Sequence, residues 1–346
     1  MSRFPLALAV AAALAGPLAA QAPATTDPAR LARVRAAKMP ALTAPVSFDT
    51  PEADAILAAL EVYPPDNPWN QLVEAWPLHP DSAAIVAAVG AAKPLRMNSD
   101  MGFVLVPPTQ PRVPFRVTQY AGEADPGPFP IPDTLPIEGW PAGYRGDPQR
   151  NKLTLDDVQR DRANLGGDRH AIVVDPVNRV SYEFFEMKKA DGGWRGYSAK
   201  FDLTTNTLRP DGWTSADAAG LPIFPAVVRH DELQRGRVEH ALRVTVARTR
   251  NAYVAPATHF ASRLADKALP RMGERLRLRK DFDTAGFTPP ARAVLDGLKR
   301  YGMLVADNGL DWCVSVTPDP RIAPMHDEFR KVKGGDFEVV TAPPAK

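Results

Sequence analysis

Along the chain, the first regular alternation of apolar and polar positions has a helical period. Thr50 and Pro51 suit a helix start, Ile56, Leu57 and Leu60 share a face, and Pro64-Pro65 ends the run, which predicts a helix over 50–63. Ile85, Val86 and Val89 predict a second over 81–91. From Phe103 the period becomes two: 103–106 and 114–118 read as strands, as do 171–174, 180–187, 196–203, 238–246, 252–255 and 274–279. Asp175-Pro176-Val177-Asn178 and Asp191-Gly192-Gly193 carry turn chemistry, which points to hairpins and antiparallel pairing. Val294, Leu295 and Leu298 place a helix over 290–301. Strands at 303–306 and 312–316 follow around the turn Asp307-Asn308-Gly309, then a short helix near 325–332 and a last strand at 337–340. The predicted fold is β-rich α+β: antiparallel sheets in a sandwich or barrel-like core, with a few short peripheral helices.

Proline sharpens this picture. The chain has 37 Pro in 346 residues, about twice the usual fraction, which argues against a helical bundle. Eleven of them fall within 107–148, too dense for internal strands. This stretch reads as a long irregular loop over a groove or a sheet edge, with Tyr120, Phe129, Trp140 and Tyr144 seeking burial. At the N-terminus, Arg3, the apolar run 5–15 and the small residues around Ala20 to Ala22 follow the plan of a secretory signal peptide, expected over 1–22. That apolar run is too short to span a hydrocarbon layer of roughly 30 Å. The expectation is a secreted or periplasmic protein with no membrane span. The Ala-, Pro-, Thr- and Arg-rich stretch 23–45 reads as a flexible tether with at most a short helix at 28–37, leaving 46–342 as a single globular domain.

Charge and cysteine content narrow the partners. Forty-two Lys and Arg against 40 Asp and Glu leave a net charge of +2, which gives no support to a nucleic-acid partner. The lone Cys313 permits no intramolecular disulfide and, within a strand-like run, reads as a buried thiol. Walker A, dinucleotide, nucleophile-elbow and HExxH patterns are missing, as are paired cysteine ligands, so no cofactor or metal is expected.

The densest polar grouping spans 211–243. Asp211 and Asp217 bracket Trp213, and a Trp beside carboxylates suits a sugar subsite: a flat face for the ring and acid–base groups for the glycosidic oxygen. An ordinary turn with Ser215 as a cap and Trp213 in the core explains the same residues. His170, His230, His240 and His259 lie in or beside strands; they suit acid–base work or, if three converge, a metal, and each alone suits a structural hydrogen bond. Between 235 and 280 there are twelve Lys or Arg against three acidic residues, and Arg275, Arg277 and Arg279 share one strand face. That is either the solvated outer face of a sheet or a groove for a polyanion such as a uronic-acid polysaccharide. Asp307 and Asn308 end an apolar strand, where catalytic groups are commonly mounted, or else close an Asn-Gly turn.

Several runs are distinctive: Asn67-Pro68-Trp69-Asn70, Gly167-Asp168-Arg169-His170, the stretch from Arg209 to Ile223, His240-Ala241-Leu242-Arg243, and the stretch from Tyr301 to Gly309. Together they resemble a family of exported bacterial proteins. The resemblance spans about 48–340, implies one secreted domain and implies no reaction; Thr258-His259 departs from the Arg-His pair of those relatives. The leading expectation is a secreted polysaccharide-cleaving enzyme of the glycoside-hydrolase type, with an acidic glycan as one candidate substrate. Asp217 and Asp307 are the expected general acid and base, with His170 or His240 as alternatives. Arg243 would orient an acidic group and Trp213 would stack on a sugar, with His259 and Asn308 as further substrate contacts. The competing reading is a non-catalytic carbohydrate- or envelope-binding protein using the same surface. A uronate lyase and a metal-dependent hydrolase are further alternatives, and oligomeric state is not legible.

Overall fold

The protein is represented by a computed structural model describing residues 26–140, 152–162, 164 and 167–343. The expected signal peptide over 1–22 and Tyr144 lie outside the described residues. Two six-stranded sheets carry the fold. The first has the order β1 (Val46–Ser47), β3 (Val104–Leu105), β5 (Ala171–Asp175), β6 (Val180–Ala190), β7 (Gly193–Asp202), β4 (Phe115–Val117). The second has the order β12 (Phe337–Val340), β9 (Arg275–Leu278), β10 (Met303–Asn308), β8 (Leu242–Val246), β11 (Cys313–Val316), β2 (Arg96–Ser99).

Both sheets are mixed, which corrects the antiparallel expectation, and neither closes into a barrel. β5, β6 and β7 do form an antiparallel meander through the expected turns. However, β3 with β5, β4 with β7, β8 with β10 and β2 with β11 pair in parallel. A period-two alternation carries no direction, and parallel partners are joined by long connections that local turn chemistry does not reveal.

Alternation decides which face of the first sheet meets which layer. Val104, Ala171, Val173, Tyr182, Phe184 and Trp194 form one apolar cluster with Phe129, Ile131, Leu135 and Ile137 of the Pro-rich stretch. That stretch therefore covers a sheet face and, through β4, also supplies one edge strand, and Tyr120 stays 57% exposed. The alternate positions Leu105, Ile172, Val174, Tyr197 and Phe201 join a larger cluster with Val244, Val246 and Val305 of the second sheet. Helices α3 (Ser82–Val89) and α6 (Pro289–Arg300) add Ile85, Val89, Val294 and Leu298 to it. Each such burial stabilises by about 1.5–3 kcal/mol before entropy is counted.

Helix α2 (Pro51–Ala59) starts as the sequence predicts, with Thr50 Oγ1 accepting from the Ala53 N–H at 3.2 Å. The stretch expected as a tether carries helix α1 (Pro28–Ala36), and it is docked: Asp27 accepts from Arg300 at 2.8 Å and from the Tyr301 hydroxyl at 3.0 Å, and Arg33 pairs with Glu239. The basic row of β9 is also corrected. Arg275 and Arg277 are 5% and 9% exposed, so they form neither a solvated outer face nor an open groove for a polyanion, while Arg279, just past the strand, is exposed. Arg277 donates to the carbonyls of Val73, Glu74 and Trp76 and pairs with Glu338; Arg275 donates to those of Pro68 and Tyr301. Buried carbonyls need donors, and these guanidiniums supply them. Among the described residues, no helix is long and apolar enough to cross a membrane.

Candidate functional site

On one face of the second sheet, the registers bring polar side chains together. Asn98 pairs with Ser315, Cys313 with Thr245, and Thr245 with Asp307. Paired residues share a face. Asp307 joins this row because β10 carries a bulge: the register passes from Val305 opposite Val244 directly to Asp307 opposite Thr245, leaving Ala306 as the extra residue. In a regular strand Ala306 would stand beside Thr245 and Asp307 would turn to the other face. Asp100 lies two residues beyond Asn98, Glu138 comes from the Pro-rich stretch, and His170 directly precedes β5. With Arg243 and Asn308 they line a cavity of about 120 Å³.

His170, 4% exposed, places Nδ1 3.0 Å from Glu138 Oε2 and Nε2 2.9 Å from the Ala216 carbonyl oxygen. Burial alone would lower its pKa, but the Glu138 hydrogen bond and charge, aided by Asp217, outweigh burial and raise it to about 10. At neutral pH the ring is therefore an imidazolium that donates from both nitrogens. Burial acts to raise the Glu138 pKa, and His170 overcomes this and holds it below the ordinary value. The backbone completes the clamp: His170 N–H donates to Glu138 Oε2 at 3.2 Å, and Glu138 N–H to the His170 carbonyl at 2.7 Å.

Arg243 is also 4% exposed. It donates Nε to Asp217 Oδ2 at 2.8 Å, Nη2 to Asp217 Oδ1, and Nη1 to Ser315 Oγ at 2.6 Å. Asp217 overcomes the effect of burial and holds the guanidinium pKa above its ordinary value. Two carboxyls behave differently. Burial, reinforced by Glu138, raises Asp100 to about 7, and burial, reinforced by Asp217, raises Asp307 to about 7. Asn98 donates to one oxygen of Asp100; the other, Oδ1, is buried with no hydrogen-bond partner among the described residues. The Cys313 thiol in the same wall is pushed up to about 11 by burial and then by Asp100, so it is no nucleophile near neutral pH.

Of the residues singled out in the sequence, His170, Arg243, Asp307 and Asn308 meet at the cavity. Asp217 is fully buried behind Arg243 and does not line the cavity, so the general acid expected there has no access to a substrate. Trp213 lies outside the lining: Arg209 sits 5.4 Å from its ring centroid and Thr258 donates to its carbonyl at 2.8 Å. The other histidines do not converge. His240 Nε2 lies 2.8 Å from Glu232, His230 Nδ1 2.9 Å from Asp54, and His259 Nδ1 2.7 Å from the Ala218 carbonyl. Among the described residues, no group of three or more His, Cys, Asp or Glu is arranged to hold a metal ion.

Asp100, Glu138, Asn98 and Ser315 escape the sequence reading. Asn98-Ser99-Asp100 is a polar run ahead of an apolar strand, a faint strand-end signal, whereas Glu138 sits in irregular chain with no periodicity to mark it. No protein-family model, curated protein or solved structure matches the chain.

Proposed function

We infer that this chain is an exported acid–base hydrolase of glycans, working in the cavity lined by Asp100 and Asp307. Convergence carries the reading. Segments far apart in sequence bring the carboxyls of Asp100, Glu138, Asp168 and Asp307, an imidazolium and a guanidinium to one small cavity, and one oxygen of Asp100 has no hydrogen-bond partner among the described residues. Because Asp100 and Asp307 both titrate at about 7, near neutral pH one can hold a proton while the other is ionised. Protonating a leaving oxygen while activating a water needs that division. His170 has committed both protons to protein acceptors, so it supplies fixed positive charge, as Arg243 does, to steady negative charge on reacting oxygens. Asp217 positions Arg243.

The cavity of about 120 Å³ is small, with room for a polar substituent and a few waters rather than a row of rings. That favours attack at a chain end. The glycan assignment and the export rest on the sequence: the leader-like N-terminus and the polar strand end at Asp307 and Asn308.

The protein incubated with neutral and uronic-acid polysaccharides should release reducing ends, with a bell-shaped pH profile centred near 7. Asp100→Asn and Asp307→Asn should each lower kcat by about 10²-fold or more and each remove one limb of the profile. An unsaturated uronate among the products would reassign the reaction to elimination. Full activity in both variants, or no cleavage of any glycan, would overturn the reading.

A further inference from the structure

A second cavity, of about 520 Å³, opens on the other half of the same sheet face. Val340 pairs with Arg275, Arg275 with Leu304, and Leu304 with Arg243. One cross-strand row thus runs from this cavity to the small polar one, with Leu304 between them. The walls are mainly apolar, with Leu208, Val254, Leu304 and Val340 around Trp76 and Arg275.

The charges here do not balance. Arg271 donates Nε and Nη2 to the two oxygens of Glu274, both at 2.9 Å, so that pair cancels. Arg275 is 5% exposed and has no ion-pair partner among the described residues. Nη1 donates to the Tyr301 carbonyl at 2.7 Å and Nη2 to the Pro68 carbonyl at 2.5 Å, while Nε is buried with no acceptor among the described residues. The guanidinium lies 5.6 Å from the centroid of the Trp76 ring, and the indole Nε1 of Trp76 is likewise buried with no acceptor among those residues. Burial with no compensating charge lowers the Arg275 pKa to about 9. Both residues line this cavity, and a buried cation with no counter-charge among the described residues, beside two unmet donors, is costly unless an anionic acceptor joins it.

We propose that this cavity binds a small monocarboxylic acid with an apolar body, its carboxylate accepting from Arg275 and Trp76 and its body lying against Leu208, Val254 and Val340. The volume is that of a small-molecule site, and a single uncancelled positive charge matches a monoanion rather than a polyanion. Sugars fit poorly because the walls offer few polar groups. The proposal is independent of the reaction assigned to the other cavity.

Calorimetric titration of the full chain with octanoate and with octan-1-ol tests it, because the two probes share a body and differ in charge. Octanoate should bind one equivalent, at least tenfold more tightly than the alcohol. Arg275→Gln should abolish that preference. Since Arg275 also fastens two backbone carbonyls, Leu208→Glu at the 45% exposed rim provides a second variant outside the core. It should weaken octanoate at least tenfold and octan-1-ol by clearly less, because both probes lose an apolar contact and only the anion also meets a like charge. No octanoate binding, equal affinity for the two probes, or unchanged octanoate affinity in Leu208→Glu would overturn the proposal.

Discussion

Asp217 bears on the candidate site without touching its cavity. It is fully buried, and both of its oxygens are taken by Arg243. Removing it would leave the Arg243 cation buried beside the His170 imidazolium, two like charges with one partner fewer. Asp217→Ala is expected to cost about 3–5 kcal/mol in urea-unfolding free energy, because an uncompensated buried charge remains. A loss below about 1 kcal/mol would show that Arg243 finds another partner or reaches water. Asp217 reads as acid–base chemistry in the sequence because it stands near Trp213. In the fold that Trp lies under Arg209, and the carboxylate serves another cation.

At the scale of elements, β10 decides the geometry of the candidate site. It enters from α6 through Gly302, whose φ of +67° suits glycine and where a Cβ would stand 2.3 Å from the Leu276 carbonyl oxygen. Gly302→Ala should therefore destabilise by about 2 kcal/mol or more and displace the strand that bears Asp307. Thermal melting reads the first effect and glycan cleavage the second; an unchanged melting temperature would mean that the turn relaxes without moving β10. The strand itself is plain from the apolar run Met303 to Ala306, and α6 is plain from Val294, Leu295 and Leu298. The bulge at Ala306 is not, because nothing local distinguishes a strand with one extra residue from a regular one until its partner β8 is known.

Across the whole molecule, buried titratable groups set a pH dependence of stability. Asp100, Glu183 and Asp307 are raised to about 7, chiefly by burial, so the folded state binds their protons more tightly than the unfolded chain does. Their relative contribution is greatest below about pH 4 and is lost as pH rises to about 7. His170, raised to about 10, contributes fully below about pH 6.5 and loses that contribution as pH rises through 10. Glu138 and Glu232 are lowered, the latter to about 2, and their contributions vanish only under acid. The protein should thus melt several degrees lower at pH 8.5 than at pH 5.5, as followed by circular dichroism; a melting temperature that rises over this interval would show that these groups are solvated in the folded state.

Local pattern is sufficient for most of the elements, for the turns of the β5–β7 meander and for the apolar faces, because burial repeats with the period of the backbone and leaves that period in the side chains. It also marks Arg243, His170, Asp307 and Asn308 as chemically interesting. Strand direction, pairing order, the bulge, the docking of α1 and the inward turn of Arg275 and Arg277 belong to the tertiary structure. So do the meeting of Asp100 with Asp307 and the separation of His240, His259 and Trp213 from them. These depend on which distant segments lie side by side and in what register, and that is set by the joint burial of many side chains rather than by any one stretch of chain.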